Sequence, residues 1–278
     1  MALIKIQDLV KAGVHFGHQT KRWNPKMKPY IYGTRHGVTI FDLTVTIRNL
    51  AQACEYLRET AADGGAIIFV GTKRQCQELV REAAERTGMF YMADRWLGGT
   101  LTNNGVILSR VQYMKKLRAM EDNGEIDKMP NKEASSARRE LSKLERSLTG
   151  IADMRKLPDA MVGVDIERDE IAVRESNRLG IPVVAIVDSN CDPDMVDYVV
   201  PGNDDAVRSI RILMAAFVQS ILDGRGMARA EDADENVGEA MAPVEEEAEA
   251  AAVADESELE HPVEEALEAA QESEADEK

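Results

Sequence analysis

Between Gly13 and Phe41 the chain reads GVHFGHQTKRWNPKMKPYIYGTRHGVTIF, bringing cations, imidazoles and aromatic rings into one short segment. Lys21, Arg22, Lys26, Lys28, Arg35 and His36 are interleaved with Phe16, Trp23, Tyr30 and Tyr32. Cations neutralise phosphates and release their counterions. Ring faces and guanidinium planes stack on unpaired bases, which is how irregular RNA is usually read. Gly13, Gly17, Pro25, Pro29, Gly33 and Gly37 forbid a continuous helix and leave an irregular loop that can follow a backbone. The bland alternative is a solvated loop with Trp23 packed on the domain. DRWLGGTLTNN, from Asp94 to Asn104, offers a second polar surface with Arg95, Trp96, Asn103 and Asn104.

Metal chemistry has a second set of candidates. His15 and His18 lie three apart, and Asp188, Asp192, Asp194, Asp204 and Asp205 follow the last apolar runs. Ligands of open α/β sheets gather at the carboxyl ends of strands. His18, Asp188, Asp204 and Asp205 therefore form a candidate site for a divalent ion, zinc or magnesium. The alternative is that the histidines pack or bond backbone, while Asp204 or Asp205 caps a helix.

Catalytic signals are weak. FVGTKRQ could cradle a phosphate on a helix N-terminus, with Lys73 adding charge. It lacks the second glycine and the Lys-Ser/Thr pair of a P-loop, and no dinucleotide-binding glycine triplet follows any strand. No serine nucleophile elbow is present. Cys54, Cys76 and Cys191 are far apart, which excludes a disulfide framework and suits a reducing cytosol. The expectation is a non-enzymatic protein. A nucleotide- or phosphate-dependent enzyme built on Gly71, Thr72 and Lys73 is the rival, and a protein-interaction scaffold is a third reading.

Charge is unevenly spread. The first 50 residues hold eight Lys/Arg against two acids, although the whole chain has a net charge of −16. Residues 227–278 hold 20 Asp/Glu and two Lys/Arg; removing them from the totals of 50 and 34 leaves 30 and 32. The acidity belongs to the tail, and the rest is nearly neutral with a basic start. No apolar run reaches about 18 residues, and the N-terminus has no apolar export core, so neither a membrane nor an export pathway is expected.

These residues need elements to hold them. Ala2 to Gly13 reads as an amphipathic helix with Leu3, Ile6, Leu9 and Val10 on one side. Tyr30–Tyr32 and Val38–Phe41 flank GTRHG as a hairpin. A helix over 44–62 follows. Buried-strand runs are then expected at 66–71, 89–93, 158–165, 181–188 and 197–201, with helices at 73–87, 167–179 and 204–223. β-branched runs alternating with helices mean a parallel sheet covered on both faces. Between the second and third runs lie two charged helices, 103–121 and 135–154. Ala137, Leu141, Leu144, Leu148 and Ile151 step by four and three, the seam of a coiled coil, so a projecting antiparallel hairpin is favoured over two helices in one layer. The expected divisions are 1–43 for the helix and basic arm, 44–226 for the α/β domain with the hairpin at 103–157, and 227–278 for a disordered acidic tail.

Six stretches together resemble one family. GVHFGHQTKRWNPKMKPYIYG, FVGTKRQ, RWLGGTLTNN, LPDAMVGVD, IPVVAIVDSNCDPD and VPGNDDAVRSI occur in the order seen in the bacterial ribosomal protein S2 family. The resemblance implies a doubly wound, flavodoxin- or Rossmann-like parallel sheet with a protruding coiled-coil hairpin. It implies a structural constituent of the small ribosomal subunit that binds small-subunit rRNA near the junction of head and body. Neighbouring small-subunit proteins, including the large protein S1 that it helps recruit, would be its partners; self-association is not expected. With no transit segment ahead of the first motif, a bacterial cytoplasmic ribosome is the expected location. His15, Gln19, Thr20, Lys21, Arg22, Trp23, Asn24, Lys26 and Lys28 fall in its N-terminal signature. Lys73, Arg74, Arg95, Trp96, Asn103 and Asn104 fall in its other motifs. With Tyr30, Arg35 and His36 these are the residues expected to form or support an RNA face. The acidic tail departs from the family pattern, and nothing carries over to it.

Overall fold

A computed structural model describes residues 5–226. Its centre is a five-stranded parallel sheet of β4 (Ile67–Val70), β5 (Phe90–Met92), β6 (Ala160–Val164), β7 (Val183–Val187) and β8 (Tyr198–Pro201), in the order β5-β4-β6-β7-β8. β4, β6 and β7 are buried at every residue, as continuous IIFV, AMVGV and VVAIV runs require when both faces are covered. Because side chains alternate, Ile67 and Phe69 enter one core while Ile68 and Val70 enter the other. The first core is closed by α2 (Leu43–Ala62), α3 (Gln77–Thr87) and α7 (Val207–Gly224). The second is closed by α6 (Glu170–Leu179), the loop from Trp96 to Leu101, and the buried sides of α4 (Asn104–Asp122) and α5 (Asn131–Leu148). Helices thus lie on both faces. The strand order reverses between β4 and β6, and ligands of such sheets bind beyond the carboxyl ends at that point.

A second, antiparallel sheet has the order β1-β3-β2. β2 (Ile31–Arg35) and β3 (Val38–Phe41) form the expected hairpin, and its turn places His36 and Gly37 at φ +51° and +77°. Two successive positive φ values suit a two-residue turn, and glycine takes the second without strain. The unforeseen member is β1 (Phe16–Gln19), which pairs with β3.

Several boundaries depart from expectation. α1 covers Ile6–Lys11; Leu9 is buried, but Ile6 and Val10 are exposed, and Leu3 lies outside the described residues. α3 starts at Gln77 rather than at residue 73, because Thr72 and Lys73 are held by carboxylates elsewhere in the fold. α7 starts at Val207. Neither Asp204 nor Asp205 caps it; Asn203 Oδ1 accepts from the amides of Asp205 and Ala206 at 2.8 and 3.1 Å.

α4 and α5 share one core through Ile107, Val111, Met114 and Leu117 of the first and Leu141 and Leu148 of the second. Arg118 pairs with Glu145 at 2.8 Å, Lys115 with Asp153 at 2.9 Å and Arg138 with Glu121 at 3.2 Å, so the two helices run antiparallel. No described helix is long and apolar enough to cross a membrane. The expected acidic tail lies outside the described residues.

Candidate functional site

At the carboxyl edge of the sheet the last residues of four strand-to-helix turns converge. β4 delivers Thr72 and Lys73, β6 delivers Asp165, β7 delivers Asp188, and β8 leads to Asp204 and Asp205. Lys73 Nζ lies 2.7 Å from Asp204 Oδ1, 2.6 Å from Asp205 Oδ1 and 3.4 Å from Asp165 Oδ2. Burial alone would lower the Lys73 pKa, but the hydrogen bonds to Asp204 and Asp205 outweigh it and raise the pKa above the usual lysine range. Asp165 takes a left-handed backbone, φ +62°, a conformation aspartate tolerates better than most residues.

His18 of β1 docks onto this edge. Its amide donates to Asp188 Oδ1 at 3.1 Å and to Ser189 Oγ at 2.9 Å. Its Nδ1 sits 3.0 Å from Asp188 Oδ1, and its Nε2 sits 3.4 Å from Asp205 Oδ2. The contact with Asp188 pushes the imidazole pKa up to about 9, against the opposing effect of burial. Asp204 is pushed up to about 7, first by burial and then by Asp188 and Asp165, with Lys73 opposing. Gly17 is required by this docking: a Cβ there would stand 2.9 Å from Ser189 Oγ and 3.2 Å from Asp188 Oδ1. The amide of Asn24 adds a bond to Ser189 O at 2.8 Å, and the amide of Asn203 one to Val14 O at 3.1 Å. The arm is therefore seated at both ends of β1. His18, Asp188 and Asp204 bring ligand atoms within 4.8 Å of one another, and Asp205 lies against His18 and Lys73.

Beyond the seat the arm turns outward. Gln19, Thr20, Lys21, Arg22, Trp23, Lys26, Lys28, Arg35 and His36 are exposed. His15, Asn24 and Tyr30 are half-buried; His15 lies against Phe16 with ring centroids 4.0 Å apart, and burial lowers its pKa. Trp23 is 38 % exposed, so it does not pack fully onto the domain. Lys26 is engaged, with Nζ 2.7 Å from both Asp192 and Asp194. Among the described residues, Lys21, Arg22, Lys28 and Arg35 enter no ion pair. Arg22 lines a cavity of about 790 Å³ together with His18, Lys73, Asp165, Arg168 and Asp205, which links the arm to the charged edge.

Two expected RNA contacts sit elsewhere. Lys73 is buried and its charge is taken up by three aspartates. Trp96 is buried, and its Nε1 donates to Glu175 Oε1 at 3.2 Å. Arg74, Arg95 and Asn103 are exposed, while Asn104 is half-buried with Nδ2 donating to Thr100 O at 3.4 Å.

Glu175 was not foreseen. This buried carboxylate also accepts from the amides of Gly99, Leu101 and Thr102 at 2.7, 3.0 and 3.1 Å, and from Thr102 Oγ1 at 3.1 Å. Burial would raise its pKa, yet these donors hold it below the usual glutamate range. The LGGTLT loop is thus wrapped around an anion of the protein itself. Its sequence signal is an acid three residues after Ala172 on the buried side of α6.

The phosphate loop is filled in the same way. Thr72 donates its amide and Oγ1 to Asp169, both at 2.9 Å, where a phosphate would need those donors. Cys76 is fully buried, and burial pushes its thiol up to about 12. A family model described as ribosomal protein S2 matches residues 9–224.

Proposed function

The chain belongs to the ribosomal protein S2 family, and on that premise we propose that its outward-turned arm grips small-subunit rRNA. The family supplies a small-subunit ribosomal protein with a structural role. One observation carries the finer reading. Lys21, Arg22, Lys28 and Arg35 are exposed beside Trp23 and an 82 % exposed Tyr32, on a segment whose other end is bonded to the sheet. A pinned arm loses less conformational freedom on binding than a free tail would. Its free cations meet phosphates, and its rings meet unstacked bases. Arg74, Arg95 and Asn103 extend the polar surface. The motif resemblance supports a location near the junction of head and body of a bacterial subunit, with protein S1 as a recruited neighbour. α4 and α5 form a coiled-coil hairpin that projects toward RNA or adjoining proteins; the seven-residue spacing of buried Leu141 and Leu148 and the antiparallel ion pairs between the helices support this.

The test is the double variant Lys21→Glu with Arg22→Glu. Sucrose-gradient occupancy of small subunits should fall at least about tenfold, since two charge reversals remove several phosphate contacts' worth of affinity. The melting midpoint should not move, because neither side chain is buried. Normal occupancy of the variant would refute the arm as the grip. In the nucleotide-enzyme alternative the lysine of the loop is already taken, because Lys73 serves three carboxylates.

A further inference from the structure

We infer that His18, Asp188 and Asp204 hold a divalent transition cation of the zinc class, which staples the arm to the carboxyl edge of the sheet. Each offers a ligand atom, and these atoms lie within 4.8 Å of one another. Two of the cluster's atoms are unsatisfied as they stand. Asp204 is 0 % exposed, yet its Oδ2 has no hydrogen-bond partner. His18 Nδ1 is also buried without an aligned hydrogen bond, although Asp188 Oδ1 is only 3.0 Å away. Ligand atoms bound tetrahedrally to one zinc at about 2.0–2.2 Å stand roughly 3.3–3.6 Å apart. The nitrogen and oxygen at 3.0 Å, without an aligned hydrogen bond, need separate by only a few tenths of an ångström to share a cation.

Charge points the same way. Asp165, Asp204 and Asp205 all lie against the Lys73 ammonium, with Asp188 beside Asp204. Carboxylates left in such excess favour a divalent ion. An imidazole nitrogen among them selects zinc over magnesium, which prefers an all-oxygen, water-rich shell. Cys191 Sγ, within the same 4.8 Å limit of Asp165 and Asp204, adds a soft donor nearby. A cavity lined by His18, Asp165 and Asp205 opens beside the cluster. None of this depends on the arm touching RNA.

The experiment uses the full chain without a histidine tag, stripped with chelator, equilibrated with zinc chloride and desalted. Zinc per chain is measured by plasma mass spectrometry, and melting is followed in parallel. About one zinc per chain and a midpoint raised by several degrees are expected. His18→Gln and Asp204→Asn should each lower zinc affinity at least tenfold, and Lys26→Ala should leave it unchanged. If Asp204→Asn does not fold, the partly exposed His18→Gln decides alone. Absence of retained zinc and of any melting shift, equal retention by both ligand variants, or a full shift with magnesium alone would overturn the proposal.

Discussion

Glu175 and Asp204 are both buried carboxylates, but Glu175 receives five hydrogen bonds from one loop and its partner tryptophan. Asp204 shares one ammonium ion with Asp165 and Asp205 and has Asp188 beside it. The first site is rich in donors, the second in acceptors. Their pKa values move in opposite directions accordingly, Glu175 below its usual range and Asp204 up to about 7. Burial alone therefore does not set the behaviour of an acid; the balance of donors around it does. The donor-rich site is closed and structural. The acceptor-rich site leaves Asp204 Oδ2 without a hydrogen-bond partner, and that is the atom the proposed zinc ion would engage.

The comparison can be broken by the same chemical change on each side. Glu175→Gln turns one accepting oxygen into a donor facing donors, so it should cost about 2–3 kcal/mol and lower the melting midpoint by about 5–10 °C. Lys73→Met removes the shared cation and should cost about 2 kcal/mol, less than a fully buried pair would, because Asp204 can take up a proton. Adding Asp204→Asn to Lys73→Met should recover at least half of that loss, a coupling readable in a double-mutant cycle. Asp204→Asn alone, in chelator-stripped protein, should stay within about 1 kcal/mol of the parent, since its amide supplies a donor where oxygens crowd. Thermal melts of the four variants order these effects. If Asp204→Asn cost as much as Glu175→Gln, the contrast between the two sites would collapse.

Elements built from local pattern were legible in the chain. VVAIV and IIFV are strands because nothing else accommodates such runs at that length, and the turn at His36 and Gly37 carries its own signal. The meeting of His18 with Asp188, Asp204 and Asp205 was also readable, because strand ends of open sheets share one edge. Roles set by distant partners were not. Lys73 looks like a phosphate or RNA contact until Asp204, 131 residues later, is placed against it. Trp96 looks like a stacking platform until Glu175 claims its indole 79 residues on. Asp204 and Asp205 look like caps because a local hydrogen bond is the simplest use of an aspartate ahead of a helix; the buried ammonium ion outcompetes that use. β1 escaped notice because FGHQ is short and half-polar, and its pairing with β3 supplies the stability that its sequence does not advertise.

The bonds that seat the arm span 170 and 171 residues, from His18 to Asp188 and Ser189. Such separations raise contact order and slow folding. On a translating ribosome, at about 5–20 residues per second, the arm must wait on the order of ten seconds for its dock to be made. During that interval β1 lacks the loop it will lean on, while the cations of the arm are already outside. The newborn chain is thus a basic thread before it is a ribosomal protein, and the final residues of the sheet decide when the thread is drawn in.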